Sequence, residues 1–147
     1  MSGLVTFRLG QREYATSLQA VREVVRLQGL ADLPGMAAPL AGVLDLRGTA
    51  LPVLDLRTDA GPQDHGDVLV LEQAGPVAGG VDGSSVGIAV DRVRAVVARS
   101  ELPPAGAAVE DGVLPAYVLE VLRGAAGPVF LVDLPGMVAA VRRPAAA

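Results

Sequence analysis

The chain has 147 residues, a net charge of −4, no cysteine and one histidine, and 51% of its residues are hydrophobic. This length holds one domain or two small fused barrels with a core that needs no staples, and the missing thiols exclude disulfides and thiolate metal sites. Every basic residue is arginine, and Phe7, Tyr14, Tyr117 and Phe130 are the only aromatic side chains, a composition that disfavours nucleic-acid binding, which needs a cationic face and stacking platforms.

Apolar residues never run for the ~18 positions that a membrane helix needs. The start, Met1-Ser2-Gly3-Leu4, lacks the basic stretch of a signal peptide. The expectation is a cytoplasmic protein without direct membrane insertion, its apolar surplus divided between core and partner-facing surface.

Taken in order, Val5, Phe7 and Leu9 alternate with Thr6 and Arg8, the period of a half-buried strand. Gly10-Gln11 reads as a turn and 12–16 as the returning strand. Ser17 is placed to cap a short helical turn over 18–20. Residues 21–27 form a strand with Val21, Glu23 and Val25 on one face and Arg22, Val24 and Arg26 on the other. Gly29, Pro34, Gly35 and Pro39 break 28–41 into a loop.

Residues 42–47 and 49–55 are two apolar runs split at Arg47-Gly48, which predicts a hairpin. They carry an echo at ten residues, Val43-Leu-Asp-Leu-Arg47 and Val53-Leu-Asp-Leu-Arg57, read as two strands of similar build. Pro52 cannot donate to a ladder, so its position is expected at an edge or facing outward. Asp55 ends its strand and can cap a helical turn. A polar loop, 58–66, leads to strands at 67–72 and 85–90 joined by a Gly-rich loop, 73–84. Asp91 turns the chain into a strand at 92–98. A second long loop, 99–113, precedes strands at 117–122 and 128–132. Asp133 then caps a helix near 134–141, and about 142–147 is a frayed tail. Many short strands with few helices indicate an all-β barrel or a pair of barrels. No stretch between strands is long enough for the crossover helices of a parallel α/β fold.

Four segments carry a family resemblance. They are Phe7-Arg-Leu-Gly-Gln-Arg-Glu-Tyr14 with Val21-Arg-Glu-Val-Val25; Gly42-Val-Leu-Asp-Leu-Arg-Gly48 continuing to Pro52-Val-Leu-Asp-Leu-Arg57; Val86-Gly-Ile-Ala-Val-Asp91-Arg-Val93-Arg-Ala-Val96; and Phe130-Leu-Val-Asp-Leu134. In order and spacing, over residues 4–140, the chain resembles CheW-like domains. The resemblance implies a single domain over 1–147, built as two five-stranded SH3-like β-barrels that share a hydrophobic core, with short helices including a C-terminal one. It also implies a chemotaxis adaptor without catalysis, cofactor or metal. Such an adaptor couples the cytoplasmic tip of methyl-accepting chemoreceptors to the regulatory domain of a CheA-type histidine kinase, at membrane-associated arrays. Two departures stand out: Asp45 where the family usually has Asn, and a 99–113 loop rich in Ala, Gly and Pro. They leave open a divergent member serving another sensory pathway, such as pilus motility or second-messenger signalling.

Arg47 is the first candidate for partner binding. From its position alone it is a solvated turn residue or the partner of Asp45 or Glu23; the resemblance aligns it with the coupling region, where a planar guanidinium suits an interface. Gly48 fits a tight hairpin and Gly42 a close backbone approach. Val21 and Glu23 share a strand face, and a valine beside a carboxylate suits a small interface; burial in the core is the other reading of Val21. The resemblance adds Val93 and Val96, although the core is the first reading of both.

A hydrolase built on His65 with Ser84 or Ser85 is disfavoured, because Asp64-His-Gly-Asp67 reads as a flexible loop and a catalytic base needs firm positioning. Asp82-Gly-Ser84 has the wrong order for an aspartic protease and reads as a turn. The Gly79–84 stretch lacks the Gly-Lys-Ser/Thr of a phosphate loop.

Overall fold

The computed structural model describes residues 3–31, 40–57, 66–72, 85–105 and 115–142. Within them the strands are β1 (Gly3–Leu9), β2 (Arg12–Ser17), β3 (Val21–Arg26), β4 (Leu40–Leu46), β5 (Thr49–Asp55), β6 (Asp67–Glu72), β7 (Ser85–Val90), β8 (Arg92–Ala98), β9 (Val118–Gly124) and β10 (Gly127–Val132). Helix α1 is Leu134–Arg142, and 3-10 turns occupy Leu18–Ala20 and Arg99–Glu101. The Ser17 hydroxyl accepts from the Gln19 N–H and caps the first of these turns, as its sequence position predicts.

The strands form two five-stranded sheets, ordered β8-β1-β2-β10-β9 and β3-β6-β7-β5-β4. Read across, both follow the same pattern: antiparallel, antiparallel, parallel, antiparallel. Thus β8, β1, β2, β10 and β9 correspond to β3, β6, β7, β5 and β4. The second sheet is continuous in sequence, whereas the first joins strands from both ends of the chain.

Each sheet closes on itself in the same way, through the segment that leaves its first edge strand. After β3, Ala31 exchanges two backbone hydrogen bonds of 2.9 Å with Val43 on β4. After β8, the Pro103 carbonyl accepts from the Arg123 N–H on β9 (2.7 Å), and the Ala105 N–H donates to the Val121 carbonyl (3.0 Å). The sheets are therefore two barrels, here barrel 1 (with β1) and barrel 2 (with β6), which pair their own edges instead of presenting them for aggregation.

Three apolar clusters fill them. Leu27, Leu44, Leu51, Val53, Val68, Val70 and Ala89 line the inside of barrel 2. Leu4, Ala15, Leu122, Val129 and Leu131 line the inside of barrel 1. The largest cluster lies between the barrels. It joins Val5, Phe7 and Leu9 of barrel 1 to Leu69, Leu71, Val86, Ile88 and Val90 of barrel 2, with Leu134, Met137 and Val138 of α1. Consequently β1, β6 and β7 bury both faces. This explains the unbroken apolar runs Val68–71 and Val86–90. It also corrects the expectation of a half-buried first strand, because Leu4 and Thr6 are buried along with Val5, Phe7 and Leu9.

Smaller corrections concern boundaries. β4 begins at Leu40, β9 at Val118, and α1 includes Arg142, the residue expected to open the tail. β5 is an interior strand, so Pro52 is not on an edge strand; it stands one residue before the β7 ladder, which starts at Val53. The predicted loop at 58–66, apart from Gly66, and the one at 73–84 lie outside the described residues, as do His65, Asp82, Ser84, the 106–114 stretch and the 143–147 tail.

Candidate functional site

Val21, Glu23, Gly42, Arg47 and Gly48 all belong to barrel 2, while Val93 and Val96 lie on β8 of barrel 1. The structure thus divides the candidates between two surfaces. The first is organised by the β4–β5 hairpin. Arg47 and Gly48 both have positive φ, 50° and 86°, the backbone of a two-residue turn matched to strand twist. The Asp45 side chain accepts the Gly48 N–H at 2.9 Å. An asparagine oxygen makes the same bond, so this acidic departure preserves the turn.

With Asp45 occupied, Arg47 reaches across the barrel to Glu23 on β3. Nη1 lies 3.1 Å from Oε1 and Nη2 2.6 Å from Oε2. β3 and β4 are opposite edges of one sheet, so this fork-to-fork pair is a clasp across the barrel seam. The Arg47 side chain remains 64% exposed and Glu23 26%. The hydrogen bonds from Arg47 hold the Glu23 carboxyl below its ordinary pKa, with the Arg47 and Arg22 charges adding to them. Being open to solvent, the clasp adds little to stability. Its consequence is a defined, accessible guanidinium.

Gly42 is buried, and a Cβ there would lie 2.7 Å from the Ala31 carbonyl and 2.8 Å from Leu30 Cγ. It lets the closing segment approach β4. Val21 is half-buried against the shared core, and so is Val93. Val96 departs from the core assignment, with 62% of it exposed. It pairs with Val5 and faces the same way, but edge strand β8 extends past the rim of the shared core. Val24 on β3 is its counterpart, paired with Leu69 and 42% exposed. Each barrel therefore offers an exposed valine on its outer edge beside the common core. Sequence reasoning missed Val24, because its neighbours Arg22 and Arg26 made that strand face look solvated.

Two further charged features were missed. Arg99 pairs with Glu120 on β9, clasping barrel 1 across the same seam that Arg47–Glu23 spans in barrel 2. No motif links these residues in sequence. Asp55, expected to cap a helical turn, instead accepts from the backbone and side chain of Arg57: N at 3.0 Å, Nε at 2.9 Å and Nη2 at 2.8 Å. The Arg57 side chain is only 3% exposed. Burial pushes the Asp55 carboxyl upward, but the hydrogen bonds and charge of Arg57 outweigh it and leave its pKa below the ordinary value. The pentad echo was the available signal, yet it puts one arginine in solvent and the other inside. A groove of about 350 Å³ at the base of barrel 1, lined in part by Ser17, Gln19, Arg99, Leu119 and Pro135, contains none of the candidates. Among the described residues no group of three or more His, Asp or Glu side chains is placed to hold a metal ion, and no helix is long and apolar enough to cross a membrane.

Comparison with known proteins bears on the whole chain. The family described as CheW-like domain matches residues 3–142. The chemotaxis protein CheW of Treponema pallidum is 31% identical over 103 residues, which cover 67% of this chain and 58% of that protein. CheW of Bacillus subtilis is 35% identical over 54 residues, 37% of this chain and 35% of that protein. The chain thus aligns with less than two thirds of the length of these relatives. The crystal structure of the scaffolding protein TtCheW from Thermoanaerobacter tengcongensis superposes with a TM-score of 0.66 at 21% identity, over 90% of this chain and 84% of that one.

Proposed function

The chain belongs to the CheW-like domain family, and from that premise we propose that it is a chemotaxis adaptor that couples chemoreceptors to a histidine kinase without catalysing a reaction. Its partners are the cytoplasmic tip of a methyl-accepting receptor and the regulatory domain of a CheA-type kinase. It works in the cytoplasm, at receptor arrays. The observation that carries this reading is the paired edge. Each barrel has its own clasp and its own exposed valine, and the two barrels are joined by one continuous core. Two partners seated on separate barrels are then held at one relative geometry. A receptor shift transmitted through that geometry biases the kinase only if contacts differ between its two states.

Arg47, Glu23 and Val21 with the Gly48 turn are the leading docking residues on barrel 2, and Val93 and Val96 on barrel 1; Gly42 supports the first group from beneath. The test is a pull-down against a receptor cytoplasmic hairpin and a kinase regulatory domain, followed by Arg47→Glu. The variant is expected to keep its fold and lose receptor-dependent kinase activation. A folded Arg47→Glu chain that couples normally removes Arg47 from the docking surface, and failure to bind either partner overturns the reading.

A further inference from the structure

Charged groups of the two barrels meet where the chain crosses the inter-barrel boundary. Asp91 sits where the chain passes from β7 of barrel 2 to β8 of barrel 1. Its Oδ2 accepts the Gly10 N–H of the β1–β2 turn at 2.7 Å, and its own N–H donates to the Arg8 carbonyl at 3.0 Å. Asp67, at the start of β6 in barrel 2, accepts the Val93 N–H of β8 at 2.8 Å. Two carboxylates thus tie the barrels together through backbone amides of barrel 1. Carboxylate bonds to N–H groups are charge-assisted and stronger than neutral ones.

Behind them lies the buried guanidinium of Arg57, held by Asp55. Gly66, at φ 116°, brings the start of β6 close: a Cβ there would lie 2.5 Å from the Val90 carbonyl and 3.3 Å from Arg57 Nη1. The hydrogen bonds from Arg57 to Asp55, and then the Asp55 and Asp91 charges, hold the guanidinium more firmly protonated than usual against the opposing effect of burial. The same Cβ position at Gly66 lies 3.7 Å from the Asp91 carbonyl, so Arg57 borders the junction from the barrel 2 side.

We propose that Asp67 and Asp91 form a brace that fixes the angle between the two barrels, making them one rigid body. The apolar core between them is held by a non-directional force, whereas the brace supplies directional bonds. Its value to a coupler rests on the adaptor reading, because geometry imposed on one barrel reaches the other only if the joint is stiff. Asp67 and Asp91 are thereby positioning residues that contact no partner.

The experiment uses the chain alone, so its failure is distinct from a failure of partner binding. The chain has no native cysteine, so Ala50→Cys on β5 and Ala125→Cys in the β9–β10 turn, both exposed, take spin labels uniquely. Pulsed electron resonance then reads the inter-barrel distance distribution. The double variant Asp67→Ala with Asp91→Ala is expected to broaden it about two-fold, as a hinge released at one end does, while each barrel keeps its amide protection. Asp91→Ala alone removes the Gly10 bond and leaves the Asp67–Val93 bond in place, so a smaller broadening is expected. An unchanged width in the folded double variant overturns the brace and assigns the joint to the apolar core alone.

Discussion

The two barrels have one strand order and two different relations to the chain. Barrel 2 is assembled from consecutive strands β3 to β7. Barrel 1 needs pairings such as Thr6 with Ala95 and Tyr14 with Phe130, which join the chain's two ends. Identical architecture therefore costs unequal loop-closure entropy, and barrel 1 can complete only when the chain between its halves has been drawn together. The shared core is what makes the late barrel cooperative with the early one.

The sharpest way to break that comparison is Phe7→Ala. The ring is fully buried in the cluster common to both barrels and stacks on Tyr14 at 5.7 Å. Its loss is expected to cost about 3–5 kcal/mol, with amide protection falling in both barrels. Protection lost from barrel 1 alone would mean that the common core does not couple them.

Next come two matched cavities, Leu51→Ala inside barrel 2 and Leu122→Ala inside barrel 1. Each is expected to cost about 2–5 kcal/mol at equilibrium. The kinetics should differ: Leu51→Ala slows refolding, whereas Leu122→Ala mainly speeds unfolding. Stopped-flow chevrons check this, and the reverse pattern would place barrel 1 first.

The equivalent hairpins give a smaller contrast. Gly48 and Gly127 hold φ of 86° and 142°, with open space where a Cβ would go. Alanine at either position should cost about 1–2 kcal/mol through backbone strain alone, as read from thermal melts, without altering the core.

The smallest effect is in acid. Asp55 has a folded pKa below its unfolded one. The stability it contributes is therefore fully present above about pH 4, its unfolded pKa, and is lost as the pH falls through the lower folded value. Barrel 1 has no counterpart to the buried Asp55–Arg57 pair among the described residues, so the acid-induced loss should begin in barrel 2. Asp55→Asn should flatten that limb of the pH–stability curve; an unchanged limb would assign it to other carboxylates.

Much of this was legible in the residues. The strands at 67–72, 85–90 and 92–98, the Ser17 cap and the Arg47-Gly48 turn follow from period and turn chemistry alone. The duplication did not, because barrel 1 is divided between the chain ends and leaves no sequential repeat. The echo at 43–57 reports the two strands of one hairpin instead. Position narrowed the partner of Arg47 to Asp45 or Glu23, and only the turn geometry, which commits Asp45 to Gly48, selects Glu23. Val96, a valine in a strand, reads as core, and its exposure depends on where edge strand β8 meets the rim of that core, which is not legible in the sequence. The burial of Arg57 is not legible because an arginine in a polar context reads as solvated, and it depends on the close approach of Gly66 at the start of β6.

Simultaneous occupancy tests the adaptor reading most directly. The chain, a receptor cytoplasmic hairpin and a kinase regulatory domain are mixed and analysed by sedimentation velocity. The account predicts a single complex containing all three, since the partners use separate barrels of one rigid unit. Two binary complexes in which the partners displace each other would contradict it.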